Sequence, residues 1–490
     1  MISFVIALCV LIGGYFIYGK IVSRIAGEDA SRITPVKTKA DGVDYVELPS
    51  WKIFLIQFLN IAGLGPIFGA IMGVMYGPAA FLWIVFGTIF AGGVHDYLSG
   101  LMSLRQDGAS LPEIVGSQLG NKMKNLMRGF ALMLMVLVGA VFVYNPADLL
   151  ARLTPDILNV TFWVVLIFVY YIAATLLPID KLIGKLYPLF GFSLLFMAIG
   201  ICIMLFFNGS EVPEIWEQFY NHKPNSEVNP IFPMMFVSIA CGAISGFHAT
   251  QSPMMARCLK TEKHARPIFY GAMVAEGIVA LIWAAAAIAF TGGYGELQEY
   301  IGTGTPAVLV DSLSKNWLGA FGGLLAILGV IAAPITSGDT ALRSARLIAS
   351  DFLNVNQKTI VKRFAVSIPI FVLCFVIMLL PYDALWRYFA WCNQVLAVFT
   401  LWTASVWLAS RKSNYFIALL PALFMTAVTV SYIIYAPEGL QGIANELFGI
   451  EIPYMFALSC GIISGLCFLM IFRKYLNARR NNSEMLSEAI

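Results

Sequence analysis

The chain has 490 residues, of which 59% are hydrophobic and only 12% charged, with a mean hydropathy of +0.80 and a formal net charge of +3. A soluble domain of this length needs far more polar surface, so the composition excludes one and predicts an all-α polytopic membrane protein. No long basic tract suggests a nucleic-acid partner. The eight cysteines, at 9, 202, 241, 258, 374, 392, 460 and 467, lack the paired spacings of a zinc or redox site and read as small core residues.

Thirteen apolar segments can be drawn, at about 2–19, 51–76, 79–103, 125–143, 157–177, 188–207, 231–256, 267–291, 317–341, 363–380, 384–408, 414–434 and 453–472. No cationic stretch precedes residues 2–19, and Lys20 and Arg24 follow them, which reads as a retained helix with its N-terminus outside. With that orientation the loops at 20–52, 105–128, 181–185, 257–266, 343–363, 411–412 and 473–480 are cytoplasmic. They hold all but four of the 31 Lys and Arg, the exceptions being Arg152, Lys223, Lys315 and Arg387. A missed span would invert every later loop, so the bias predicts thirteen spans and a cytoplasmic C-terminus.

The second segment, WKIFLIQFLNIAGLGPIFGAIMGVMYG, is interrupted in its middle by Gly63, Gly65, Pro66 and Gly69. Proline lacks an N–H and clashes with the preceding turn, so the helix is expected to unwind near the bilayer midplane. Freed backbone at that depth is tolerated only against protein or a wet cavity, as in the substrate sites of secondary transporters. The seventh segment, NPIFPMMFVSIACGAISGFHATQSPMMARC, repeats the oddity with Gly242, Gly246 and Pro253.

Each broken segment is followed by a long span and then by a similar amphipathic passage, SLPEIVGSQLGN at 110–121 and TPAVLVDSLSKN at 305–316. Five spans separate the breaks, which predicts two inverted five-helix repeats. The expected divisions are 1–50, an extra helix and cytoplasmic loop; 51–207, the first repeat; 208–230, an extracellular loop; 231–410, the second repeat; 411–475, two further helices; and 476–490, a cytoplasmic tail.

The stretches WKIFLIQFLNIAGLGPIFGA, FAGGVHDYLSG and CGAISGFHATQSP resemble the carbon starvation protein A family, over about residues 1–475. The resemblance implies a place in the amino acid, polyamine and organocation superfamily, with a leucine-transporter-type 5+5 inverted-repeat fold. It also implies ion-coupled uptake of pyruvate or short peptides, driven by protons or sodium, in a bacterial inner membrane. No ATP-binding motif occurs in the loops, and no cofactor is expected.

A half-helix starting at Pro66 offers its N-terminal N–H groups and positive dipole end to a carboxylate, although a glycine-rich helix packed closely on its neighbours is an alternative. Asn60, Gly63, Gly65 and Pro66, with Ser245, His248, Thr250, Gln251 and Ser252 at the second break, are the substrate-binding candidates. The second group can instead serve to satisfy unwound backbone.

His95 and Asp96 lie within apolar sequence, where ionisable groups are functional candidates by default. As neighbours on a helix they diverge by about 100° and make no ready metal pair. Ion coupling, structural hydrogen bonding and a metal site all stay open for them. Glu276, in the eighth segment, needs a partner or water and is a further ion-coupling candidate. In the ninth, Thr336, Ser337, Asp339 and Thr340 follow Pro334. The superfamily resemblance makes Thr336 and Ser337 cation-ligand candidates; Asp339 can carry a proton instead, and the alternative is a helix end with Asp339 near Arg343. Asn393 and Gln394 read as interhelical hydrogen bonds. A passive channel or a membrane-embedded enzyme are the competing classes. A channel is disfavoured by the lack of a repeated ring of charges, and an enzyme by four scattered histidines.

Overall fold

Backbone inside a bilayer must close its own hydrogen bonds, and an apolar run does so as a helix. Among the residues described by the computed structural model, 1–40, 45–174, 179–207, 212–302, 305–355 and 359–488, every regular element is helical. The first residues of the predicted extracellular loop, 208–211, and the end of the tail, 489–490, lie outside them.

In chain order the helices are α1 Ile2–Ile25, α2 Ser50–Ile61, α3 Gly65–Val74, α4 Ala79–Arg105, α5 Leu111–Leu119, α6 Asn121–Leu153, α7 Val160–Ala174 and α8 Ile179–Phe207. Then come α9 Gly246–Ala256, α10 Glu262–Thr291, α11 Tyr294–Gly302, α12 Pro306–Leu325, α13 Leu328–Leu353, α14 Ile360–Ile377, α15 Tyr382–Ser410, α16 Phe416–Tyr435, α17 Leu440–Phe448 and α18 Tyr454–Glu488. Nine helices are long and apolar enough to cross a membrane among the described residues, or eleven when each of two bent pairs counts as one span. Two of the segments drawn from sequence fall outside that set. One is the 15-residue α7, and the other is divided into a short helical stretch, Ile231–Ser238, and α9.

The bent pair α2 and α3 turns by 54° around residues 62–64, where the sequence places Gly63 and, just beyond, Gly65 and Pro66. The second bent pair, also at 54°, joins α12 to α13. Here the amphipathic passage at 305–316 is no separate helix: it runs on through a kink at Gly319 (φ +61°), a conformation glycine adopts without a Cβ penalty. Its counterpart α5 is separate, opened by a capping box between Ser110 and Glu113.

Burial separates inner from outer helices. The apolar windows of α4, α10 and α15 are 78%, 83% and 78% buried within the protein, against 28% for α1 and α14 and 22% for α18. The inner helices therefore carry the packed centre, and the outer ones turn most of their side chains to lipid. Helix α10 touches α1, α2, α3, α4 and α8, while α9 packs on α2, α4 and α15. The two breaks thus lie within one wall of inner helices.

Candidate functional site

The two breaks meet. A Cβ on Gly65 would stand 2.1 Å from the Cβ of Cys241, a separation atoms cannot occupy, so only glycine lets the first break pass the second this closely. Across Gly242 (φ +88°) the chain turns back, with Pro66 and Ala280 on either side. Asn393 of α15 fastens the segment from behind: its Oδ1 accepts from Ser245 Oγ (3.0 Å) and Phe247 N (2.7 Å), and its Nδ2 donates to Ala240 O (3.2 Å). Gln394 Nε2 donates to Ile244 O (3.3 Å), and Thr88 Oγ1 to Gly242 O (2.8 Å). Unwound carbonyls that water would otherwise hold are held by side chains of α4 and α15. The expected interhelical role of Asn393 and Gln394 is therefore what the structure displays.

Four ionisable side chains, each wholly buried, converge on this segment. Asp96 uses both carboxylate oxygens, Oδ1 at 2.7 Å from His95 Nδ1 and Oδ2 at 2.9 Å from His248 Nδ1. His248 turns its Nε2 toward Glu276 Oε2, 3.4 Å away with no hydrogen bond between them, and Glu276 Oε1 accepts from Gly242 N at 3.1 Å. Neighbouring residues on an ideal helix diverge, yet the His95 and Asp96 side chains meet, next to a widened stretch of π-type turns over Trp83–Gly92. Such turns leave carbonyls to satisfy, and Tyr270 Oη donates to Ile89 O at 2.8 Å. Cys241 joins the cluster, its sulfur receiving Asn393 Nδ2 at 3.4 Å.

Of the other expected site residues, Thr250 and Ser252 are spent locally: Thr250 Oγ1 donates to Phe247 O (2.6 Å) and Ser252 Oγ to His248 O (2.9 Å). Gln251 donates to Thr250 Oγ1 at 3.0 Å, while its buried Oε1 has no partner. Asn60 Oδ1 on α2 is likewise buried and unpaired, as are both polar atoms of Gln57, a residue the sequence reading passed over. The N–H groups of Ile67 (3.2 Å) and Phe68 (2.8 Å) close on Leu64 O, so the Pro66 half-helix uses these two donors itself. Thr336, Ser337 and Asp339 lie on α13 against α6 and α7, where Gly338 faces Tyr171 and Leu342 faces Gly139. Thr336 Oγ1 donates to Ala333 O, Ser337 Oγ is buried and unpaired, and Asp339 Oδ1 stands 3.8 Å from Arg343 Nη2.

A second polar knot, at the end read as cytoplasmic, was not foreseen. Glu262 is fully buried and holds Arg105 through a short two-oxygen contact, with Arg32 Nε at 3.4 Å and Asp29 N at 3.0 Å. Arg105 also donates to Ala26 O and Gly27 O, beyond the end of α1. Beside it, burial holds the Glu28 carboxyl above its ordinary value, opposed by the hydrogen bond from Tyr97 Oη (3.2 Å) and by Arg266.

Comparison with known proteins gives this arrangement its setting. The model of the carbon starvation protein CstA family matches residues 1–157, 152–305 and 297–432. A Haemophilus influenzae protein called an uncharacterized membrane protein is 43% identical over 353 residues, 62% of this chain and 95% of its own length. The peptide transporter CstA of Campylobacter jejuni is 27% identical over 340 residues, and the pyruvate/proton symporter BtsT of Escherichia coli 25% identical over 323. The matches span about half of these two transporters, 48% and 45% of their lengths. Among solved structures, an Eremococcus coleocola manganese transporter superposes with a TM-score of 0.51 over 88% of this chain and 99% of its own, at 14% identity, a likeness of fold alone. Family and relatives point to a transporter and not to an enzyme. With the family model matched almost continuously from residue 1 to 432, the chain belongs to the carbon starvation protein CstA family.

Proposed function

We propose that the protein is a secondary active transporter that takes up small carboxylate-bearing nutrients, pyruvate or short peptides, across a bacterial inner membrane. Transport proceeds by alternating access around the two broken spans and is driven by a cation gradient, protons first among the candidates. The observation that carries this reading is the meeting of the breaks at Gly65 and Cys241, flanked by buried amides of Gln57, Asn60 and Gln251 that retain unpaired polar atoms. Buried polar groups are paired almost everywhere in proteins, so unpaired ones lining packed helices α2 and α9 are what a site for a polar solute requires. The names of the relatives, peptide transporter and pyruvate/proton symporter, support the same substrate class.

Coupling is assigned to Ser337 and Asp339, with Thr336, on α13. They stand apart from the His95, Asp96, His248 and Glu276 cluster, which belongs on this reading to the binding centre. The hydroxyls of Thr336 and Ser337 are hard oxygens that also suit sodium, so a sodium-coupled amino-acid carrier is the second reading.

Purified protein in liposomes, offered pyruvate, di- and tripeptides and amino acids under imposed proton or sodium gradients, tests both. Saturable accumulation of a carboxylate under a proton gradient is expected. Accumulation of none under either gradient refutes the assignment, and flux that neither saturates nor accumulates identifies a channel.

A further inference from the structure

The cluster between the breaks contains a donor set that hydrogen bonding leaves unfinished. Cys241 Sγ, one imidazole nitrogen of His248 and one carboxylate oxygen of Glu276 all lie within 4.8 Å of one another, on residues 5%, 0% and 0% exposed. His248 Nε2 and Glu276 Oε2 are buried with no hydrogen-bond partner, and they face each other at 3.4 Å. That is close to the spacing of two ligands around one tetrahedral cation, whose bonds run about 2.0–2.3 Å.

We infer that Cys241, His248 and Glu276 bind a single transition-metal ion of the zinc class, leaving a fourth position for an oxygen ligand. This rests on the transport reading only for its purpose; the site itself rests on the geometry.

The surroundings have the form of an outer ligand shell. A metal-bound histidine nearly always gives its other ring N–H to a carboxylate or carbonyl, and His248 Nδ1 meets Asp96 Oδ2 at 2.9 Å. Asp96 is itself steadied by His95 Nδ1. The remaining oxygen of Glu276 is held by Gly242 N, and the sulfur of Cys241 receives an N–H from Asn393. His248 and Glu276 therefore each have one fixed side and one side turned to the other donors, while the Cys241 thiol also reaches Ser245 Oγ at 3.6 Å, a contact it gives up on losing its proton to the metal. Sulfur, imidazole and carboxylate together suit zinc or cobalt better than magnesium or calcium, which take oxygen. Binding deprotonates the Cys241 thiol and sets a divalent charge beside the carboxylates of Glu276 and Asp96.

The ion also supplies what the first break lacks. With Ile67 and Phe68 N–H closed on Leu64 O, a substrate carboxylate entering between the breaks gains its positive partner from the open position on the metal.

The full chain, freed of any affinity tag and stripped with chelator in detergent micelles, should be titrated with cobalt. One equivalent per chain is expected, giving tetrahedral visible bands and a sulfur-to-cobalt charge-transfer band that zinc abolishes. Cys241→Ser should remove the charge-transfer band, whereas Cys374→Ser and Cys392→Ser should keep it. Asp96→Asn should lower affinity about 10- to 100-fold, the usual effect of losing an outer-shell partner. Zinc content of the unsubstituted chain after gel filtration needs no variant and should be one per chain. Absence of a saturating cobalt signal, or a charge-transfer band that survives Cys241→Ser, overturns the site. Metal binding with no carboxylate accumulation in liposomes refutes the transport reading and leaves the site standing. Accumulation with no metal bound does the reverse.

Discussion

Asp96 Oδ2 lies 2.9 Å from His248 Nδ1, a contact between side chains 152 positions apart that joins the span after the first break to the helix after the second. Both residues are wholly buried, and Asp96 Oδ1 is occupied by His95. Asp96→Ala leaves two imidazole nitrogens without their acceptor. An unpaired buried polar group costs about 1–3 kcal/mol, so the variant should lose about 2–6 kcal/mol of stability, and Asp96→Asn less. Thermal unfolding in detergent, followed by near-ultraviolet dichroism, measures it, and an unchanged midpoint for Asp96→Ala would mean that the pair contributes no net stability.

Substrate contact should reside in amides rather than hydroxyls. Gln57→Leu removes two buried polar atoms that have no protein partner, and Gln251→Leu removes one such atom, Oε1, along with the Nε2 bond to Thr250 Oγ1; each should raise KM for the carboxylate about tenfold or more. Thr250→Ala should change it little, because that hydroxyl already serves Phe247 O. Equal effects from all three, measured as initial uptake into liposomes, contradict the placement.

Coupling should fail differently from binding. Ser337→Ala and Asp339→Asn should weaken accumulation while leaving substrate exchange partly intact, lowering apparent substrate affinity only by the lost coupling energy, typically about 1–3 kcal/mol. If Asp339→Asn leaves the dependence on both the proton and the sodium gradient unaltered, α13 does not carry the coupling.

The Arg105 and Glu262 contact should act as a latch on the side read as cytoplasmic. Glu262→Gln leaves Arg105 and Arg32 without their shared charge, and breaking a buried pair by removing one partner costs about 3–5 kcal/mol. With Cys258, buried nearby, as the sole cysteine, alkylation by a membrane-permeant maleimide should accelerate in this variant. An unchanged rate argues for a static brace. Glu28 adds a pH dependence of defined sign. Its carboxyl is raised in the folded protein, so the folded state binds the proton more tightly. This contribution is full below the ordinary carboxyl range and is lost as pH rises through the raised value. Glu28→Gln should abolish that slope.

Orientation is open to single-cysteine labelling. In a background without other cysteines, a reagent that cannot cross the membrane should reach Ser226→Cys from outside but not Lys263→Cys, both positions being exposed. The opposite pattern breaks the inverted-repeat argument.

Much of this was legible in the residues. Gly63, Gly65 and Pro66 announced the first break, Gly242 and Gly246 the second, and Glu276 stood out as a carboxylate in apolar sequence. Cys241 did not, because its tie to His248 and Glu276 depends on the reversal at Gly242 and on α10 lying alongside, neither of which has a local signature. His95 and Asp96 were expected to diverge by helical geometry, yet they meet, and the second oxygen of the same carboxylate reaches His248, 152 residues beyond Asp96 and so without any local signature. Arg105 and Glu262 escaped notice for the opposite reason: charges near span ends are so common that nothing marked two of them, 157 positions apart, as a buried pair.

The missing side chain at Gly65 has a consequence for descent. Because the Cβ of even an alanine there would overlap the Cβ of Cys241, the two positions cannot drift independently, and a mutation at 65 is tolerable only in a lineage already altered at 241. A screen for restored folding of Gly65→Ala, scored by membrane expression and not by uptake, should therefore return Cys241→Gly, tying together codons 176 positions apart.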